Sequence, residues 1–401
     1  MIDGSSSVLS DRLQALLDER TEANRAFFGD QAERLARLCH LMAERFARGG
    51  RLVAFGCTPT ARSDVRHIAV EFVHPVIVGK RALPAIGLAG EGGELTAQVD
   101  LIARPRDIAI AFGVEEDSGQ AARAVELARA RGCLTIAFAP AGAEWEIEPA
   151  VADRYIRQEL VETLYHVLWE LVHVFFEHRG LLEGRSTRRT HDTGASSFLY
   201  PFLAEQEHDL EAILDDVRRS VLMKADEVAA LRAQTLGDNA DVLFEAAAAV
   251  RERLERGAVV LALGNGGSAT DAMDAVADFR SNADGRRPWP AIDLTEDPAI
   301  LTAIANDIGI GAIFLRQVIA YGHEGDVLLA LSTSGNSVNV IEALGEARRR
   351  GLATIAMVGY DGGRVLSERL ADHVVVTRSQ HIPRIQEAQA SAYHVLRGLV
   401  S

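Results

Sequence analysis

The sequence contains little cysteine and few aromatic residues: three Cys, and 6% Phe, Trp and Tyr, in 401 residues. Cys39, Cys57 and Cys133 have neither CxxC spacing nor an even count. A disulfide framework and a zinc ribbon are therefore both disfavoured, and the pattern is typical of a reducing compartment.

An excess of positive charge is also missing. Forty-two Lys and Arg stand against 57 Asp and Glu, which gives a formal net charge of −15. No broad basic surface is expected, so we expect neither nucleic acid nor an anionic membrane as a partner. Any anionic ligand must then be bound by a local site.

Long apolar runs are absent as well. The N-terminal stretch "MIDGSSSVLSDRLQ" lacks a basic region followed by an apolar one, and the most apolar helical stretch, "LYHVLWELVHVFF", is interrupted by His and Glu. We therefore expect a cytoplasmic protein. Its 48% hydrophobic content is that of a globular protein, and its length indicates two or three domains.

The chain contains an internal repeat. A strand, a turn of small residues and a helix occur twice; a strand-loop-helix-strand segment follows each copy, and a closing helix ends each half. Strands that alternate with helices predict a parallel sheet covered on both faces. The paired segments are 51–73 with 259–279, 107–139 with 326–358, and 157–172 with 384–400.

Each half is preceded by a segment of helical periodicity. Between the halves lies a stretch rich in Gly, Ser, Thr and Arg that has no sustained period. We predict a first α/β domain at 1–180, a linker at 181–204 and a second α/β domain at 205–401, with N-terminal helical extensions.

"STSGNS" follows a strand and opens a helix in the second half. Backbone N–H groups at a helix N-terminus bind anions, and hydroxyl groups add donors suited to phosphate oxygens. The pattern predicts a phosphate site, although helix capping alone would explain one of the hydroxyls. The predicted phosphate-binding residues are Ser332, Thr333, Ser334 and Ser337.

"GNGGSATD" (264–271) also lies between a strand and a helix. Its glycines would let the backbone approach a ligand closely, and ligands gather at the carboxyl ends of parallel strands. We expect Asn265, Gly266 and Ser268 to bind substrate.

The corresponding loop of the first half, "GVEEDS", has acids where the second half has hydroxyls. Glu115, Glu116 and Asp117 would satisfy the helix dipole themselves and repel phosphate. We therefore predict that the first domain does not bind phosphate at this loop.

Residues able to bind a metal favour the first half of the chain, whereas the phosphate pattern lies in the second. In the first half, His67 and Glu71 share one helix face, and Gln158 and His166 lie near each other on the closing helix. Two nitrogens and two oxygens suit zinc, although histidine pairs on helices are often incidental. The second half offers the weaker set Asp274, Asp278, Gln386 and His394.

At these residues the chain resembles the phosphoheptose isomerases of the SIS (sugar isomerase) superfamily. The resembling segments are "GNGGSATDAM", "LSTSGNSVNVIEA", "DGGRVLSERLADHVV" and "RIQEAQASAYHVL", within about 235–401, together with "HIAVEF" and "QELVETLYH" in the first half. The resemblance implies two flavodoxin-like SIS domains in tandem. It also implies a divalent metal, with zinc as the expected ion, and interconversion of sedoheptulose 7-phosphate with an aldoheptose 7-phosphate.

The resemblance also implies roles for single residues. The family's phosphate-binding serines correspond to the "STSGNS" residues, and its His, Glu, Gln and His metal ligands are all matched in the first half. In the second half, Asp274 and Asp278 depart from the pattern. The family's base and acid correspond to Glu71 and His166, so that Glu71 would serve as both ligand and base.

The sequence thus predicts an aldose-ketose isomerase acting on a sugar phosphate. Non-catalytic phosphosugar-binding proteins and scaffolds share this superfamily and are the alternatives. Because each half keeps what the other lacks, one composite site is the simplest expectation. Two chains are expected to assemble into a homodimer, a four-domain particle.

Overall fold

The computed structural model describes residues 3–77, 79–114, 117, 119–177 and 210–400, with the backbone alone at 3–12, 177 and 284. The predicted linker, 181–204, lies outside the described residues. No helix among those described is long and apolar enough to cross a membrane.

The described strands form two five-stranded sheets, and every pair of neighbouring strands is parallel. The strands are β1 Leu52–Phe55, β2 Ala85–Leu88, β3 Ile108–Ala111, β4 Leu134–Ala137 and β5 Trp145–Glu146, then β6 Val260–Leu263, β7 Ala291–Asp293, β8 Val327–Ser332, β9 Ala353–Gly359 and β10 His373–Thr377. The strand orders are β2-β1-β3-β4-β5 and β7-β6-β8-β9-β10, so the two sheets have one topology, the flavodoxin-like order.

Helices connect the strands and flank both sheets. The first is long because residues 3–47 contain no proline, and it ends before Gly49, whose φ of +84° suits glycine. The helices are α1 Asp3–Ala47, α2 Pro59–Val73, α3 Leu95–Ile102, α4 Gln120–Ala130, α5 Arg154–Glu177, α6 Leu210–Asp238, α7 Ala240–Glu255, α8 Gly267–Arg280, α9 Pro298–Asp307, α10 Ile313–Tyr321, α11 Val338–Arg349, α12 Gly363–Ser367 and α13 Ile382–Val400.

The chain divides into two compact units. The first unit is Ala23–Asp226 and contains the sheet β1–β5. The second unit combines Met1–Glu22 with Glu227–Ser401 and contains the sheet β6–β10. Each unit therefore includes a piece of chain from the sequence region of the other.

Alternation along the strands gives each sheet two buried faces. In the first unit, Leu52 and Ala54 of β1 pack with α1, α2 and α5, whereas Val53 and Phe55 pack with α3 and α4. Successive side chains of a strand point to opposite faces, so helices cover both sides. The second unit repeats this arrangement, and the predicted α/β fold of two flavodoxin-like domains is confirmed.

The helix after the first strand and the closing helix lie on the same face of each sheet. These are α2 and α5 in the first unit and α8 and α13 in the second. Thr58 caps α2 by accepting the Ala61 N–H at 3.2 Å, and Pro59 occupies its first turn. This common face holds the candidate metal-binding residues of each unit.

Candidate active site

The loop between β8 and α11 leads from the end of a strand into the N-terminus of a helix, a position where proteins commonly bind anions. It lies beside the β6–β8 pair, at the point where the strand order reverses and ligands usually bind. The Ser332 hydroxyl accepts the Gly335 N–H at 3.2 Å, and the Ser334 hydroxyl accepts the Asn336 N–H at 3.2 Å. Because both oxygens act as acceptors inside the loop, both hydroxyl hydrogens can be donated to a ligand.

Close backbone packing fixes the shape of this loop. Gly335 has a φ of +61°, and a Cβ there would lie 2.3 Å from the carbonyl oxygen of Gly362. The Asn336 side chain accepts the Arg364 N–H at 3.0 Å. Ser337 is the N-cap of α11 but makes no side-chain capping bond. Thr333, Ser334 and Ser337 are partly exposed, whereas Ser332 is buried.

The glycine-rich loop after β6 is joined to the start of α11. The side-chain amides of Asn265 and Asn339 exchange two hydrogen bonds, of 3.0 and 2.8 Å. Asn265 and Gly266 are exposed, but Ser268 is buried in the first turn of α8. The sequence analysis did not identify Asn339 as a site residue, although its position directly after the serine loop could have indicated it.

In the equivalent loop of the first unit, a carboxylate accepts the backbone N–H groups at the start of α4. Asp117 accepts the Gly119 N–H at 2.9 Å and also the Ala121 N–H. Its buried carboxylate thus occupies the N-terminus of α4, where an anion would otherwise bind. Glu115 and Glu116, named with it from the sequence, lie outside the described residues.

A buried cluster of histidines and carboxylates lies between α2 and α5. The Nε2 atoms of His67 and His166 are 3.3 Å apart, and Glu71 Oε1 is 3.9 Å from His67 Nε2. His67, Glu71 and His166 are each at most 2% exposed. Gln158 lies at the partly exposed end of this face, where its amide donates to Asp64 Oδ1 at 2.8 Å.

Glu162 belongs to the same cluster and was missed by the sequence reasoning. One ligand atom each of His67, Glu162 and His166 lie within 4.8 Å of one another, and all three residues are buried. The signal was present, because Glu162 stands four residues from both Gln158 and His166 and so shares their helix face.

The donor set of this cluster fits a divalent metal ion. Zinc bonds of about 2.0–2.1 Å in a tetrahedral site place neighbouring donors roughly 3.3 Å apart, which is the separation of the two Nε2 atoms. Burial, and secondarily the neighbouring His166, hold the pKa of His67 well below its usual value, so the ring is neutral and able to bind a metal. The Tyr165 hydroxyl, 3.0 Å from His67 Nδ1, fixes the ring orientation.

The second unit contains a related cluster between α8 and α13. His394 Nε2 is 3.3 Å from a carboxylate oxygen of Asp274 and 3.3 Å from one of Asp278. The Tyr393 hydroxyl donates to Asp274 Oδ2 at 2.8 Å, as its counterpart Tyr165 contacts His67. Gln386 is buried on the same helix as His394. This set is richer in oxygen, which lowers the expected affinity for zinc.

Comparison with known proteins agrees with this architecture. A family model described as the SIS domain matches residues 225–359. The phosphoheptose isomerase of Nitratidesulfovibrio vulgaris (strain DSM 19637 / Miyazaki F) is 41% identical over 183 residues, which cover 45% of this chain and 87% of that protein. The phosphoheptose isomerase of Rhodospirillum rubrum is 42% identical over 166 residues, covering 41% of this chain and 87% of that protein.

A solved structure matches the fold over nearly the whole chain. The C-terminal domain of glucosamine-fructose-6-phosphate aminotransferase from Francisella tularensis aligns with a TM-score of 0.57 at 9% identity, covering 97% of this chain and 94% of that one. Fold and comparisons together define a SIS-domain protein and an isomerase. The chain belongs to the phosphoheptose isomerase family, as the sequence motifs predicted.

Proposed function

We propose that this isomerase interconverts the ketose and aldose forms of a heptose phosphate, with sedoheptulose 7-phosphate as the ketose. The observation that carries the proposal is the serine loop at the β6–β8 reversal, because the Ser332 and Ser334 oxygens accept backbone N–H groups of the loop and can give their own hydrogens to a phosphate. The names of the relatives at 41–42% identity support the same reaction.

The phosphate group would bind at the β8–α11 loop. Ser332, Thr333, Ser334 and Ser337 would donate to its oxygens, together with N–H groups at the start of α11. Asn265 and Gly266 would contact the sugar, since both are exposed beside that loop. Buried Ser268 would act through the backbone of the glycine-rich turn.

Isomerisation requires a base that moves a proton between C1 and C2, and groups that stabilise the enediolate. We assign Glu71 as the base and His166 as the acid. Their burial excludes water, which strengthens the electrostatic interactions of both groups. A zinc ion would bind in the cluster that contains the residues predicted from the sequence, His67, Glu71, Gln158 and His166, with the second-unit set as a weaker site. When bound, zinc would polarise the carbonyl oxygen.

The test is turnover of sedoheptulose 7-phosphate by the purified zinc-loaded chain. Glu71→Gln should lower kcat by about 10²–10⁴-fold and leave the affinity for the sugar phosphate unchanged. Glu126→Gln, on the exposed face of α4, is the matched control and should keep wild-type activity. If the sugar phosphate raises the melting temperature but is not turned over, the proposed reaction is wrong and the chain is a phosphosugar-binding regulator.

A further inference from the structure

The first-unit cluster contains two carboxylates, and the structure distinguishes them. We propose that Glu162 supplies the carboxylate ligand of the metal, and that Glu71 is thereby kept for proton transfer. This division of roles rests on the proposed isomerase function, and it departs from the ligand set predicted from the sequence, in which Glu71 had both roles.

Geometry favours Glu162 as the ligand. Its carboxylate lies with the two imidazole nitrogens in a group whose members are all within 4.8 Å of one another. Glu71 lies 3.9 Å from His67 Nε2 and is not a member of that group. One ion between these side chains would therefore be held by Glu162 and both histidines.

The helix positions support the same assignment. Glu162 and His166 are one turn apart on α5, so they present two donors on one face, and His67 comes from the facing helix α2. Gln158 precedes Glu162 by another turn. Its amide nitrogen donates to Asp64, so its amide oxygen would be the fourth ligand atom.

Chemistry also favours separate carboxylates. Coordination to a cation lowers the basicity of a carboxylate, so one group serves poorly as ligand and base together. With Glu162 as the ligand, Glu71 keeps the basicity that proton abstraction needs. Two carboxylates also balance the charge of one divalent cation inside a buried site.

The second unit shows what happens without this glutamate. Ala390, four residues after Gln386, occupies the position that corresponds to Glu162, and it is buried in the core. There both carboxylates, Asp274 and Asp278, come from the α8 side instead. The fold thus accepts alanine at this position, which makes Glu162→Ala a suitable test variant.

The decisive experiment is a zinc titration of the full chain against a chromophoric chelator. Glu162→Ala and Glu162→Gln should weaken zinc binding by at least about a hundredfold. Glu71→Gln should bind zinc within about threefold of the wild type and yet lose turnover. Cobalt substitution adds a spectroscopic readout, since loss of the carboxylate ligand changes the visible absorption of the bound ion.

Two outcomes would overturn the assignment: zinc affinity retained in both Glu162 variants, or zinc affinity lost in Glu71→Gln. Circular dichroism of the zinc-free proteins controls for folding. If the Glu162 variants lose zinc while the wild type turns over no sugar phosphate, the ligand assignment stands and the proposed reaction fails. The two proposals are therefore tested separately.

Discussion

Asn265 and Asn339 exchange two hydrogen bonds through their side-chain amides and so join the glycine-rich loop to the first turn of α11. Asn339→Ala removes both bonds, each worth about 1 kcal/mol. We expect the affinity for the sugar phosphate to fall about tenfold, as measured by calorimetry. Asn306→Ala, at an exposed asparagine of α9, should leave affinity unchanged. Similar losses in the two variants would show that the pair does not organise the loop.

The Ser334 hydroxyl accepts a backbone N–H and can donate to phosphate. Ser334→Ala should therefore lose a charge-assisted hydrogen bond of about 1.5–3 kcal/mol, which weakens binding tenfold to a hundredfold. Calorimetry with the sugar phosphate and with inorganic phosphate measures the loss. Glu115→Ala should have almost no effect, and an equal loss there would contradict the assignment of phosphate to the second domain.

Purified protein should carry about one zinc per chain, bound mainly in the first unit. His67→Ala removes one of the two closely spaced nitrogens and should abolish that binding. Elemental analysis under non-chelating conditions gives the stoichiometry. His74→Ala, at the exposed end of α2, is the control and should retain zinc. Zinc that persists in His67→Ala would place the ion elsewhere.

The second unit should gain a strong zinc site when its ligand set is made equal to the first. In Asp274→His with Ala390→Glu, the new carboxylate stands where Glu162 stands in the first unit, and the new imidazole would meet Tyr393, as His67 meets Tyr165. We expect about two zinc ions per chain by elemental analysis. Asp241→His, on the exposed first turn of α7, should add none. An unchanged zinc content would mean that ligand identity does not distinguish the two sites.

Stability of the zinc-free protein should fall as the solution becomes more acidic. Burial lowers the pKa of His67 far below 6.5, so the unfolded chain takes up a proton that the folded chain does not. The contribution of His67 is therefore complete above the unfolded pKa and declines below it, by about 1.4 kcal/mol per pH unit. Urea unfolding of the wild type and His67→Gln between about pH 7 and 5 measures it. Equal pH slopes in the two proteins would exclude this contribution.

The fold could be predicted largely from the internal repeat. Alternation of apolar strands with helices indicates a parallel sheet, and matched segments at 51–73 and 259–279 imply the same topology twice. The serine loop was identifiable because the change from strand to helix coincides with the hydroxyl cluster. The first signal is a likeness between two sequence segments and the second lies within one segment, so both can be read without a structure.

Contacts between distant segments were not accessible in this way. His67 and Glu71 share a helix and were found by spacing, but which carboxylate faces the imidazole pair depends on how α2 packs against α5. The amide pair of Asn265 and Asn339 joins residues 74 positions apart. Helical spacing gives the face of a side chain, but only packing determines which neighbour it meets.

Each compact unit is built from two separate segments of the chain, and this limits where the chain can be divided into fragments that fold. Leu13 and Leu17 of α1 pack in the core of the second unit, and Asn24 donates to the backbone of Ala225 in the first. A division within 181–204 would deprive the second unit of its leucines and the first of residues 210–226. Each half expressed alone would expose apolar surface and tend to aggregate, whereas mixing the two halves in one cell should recover soluble protein by fragment complementation.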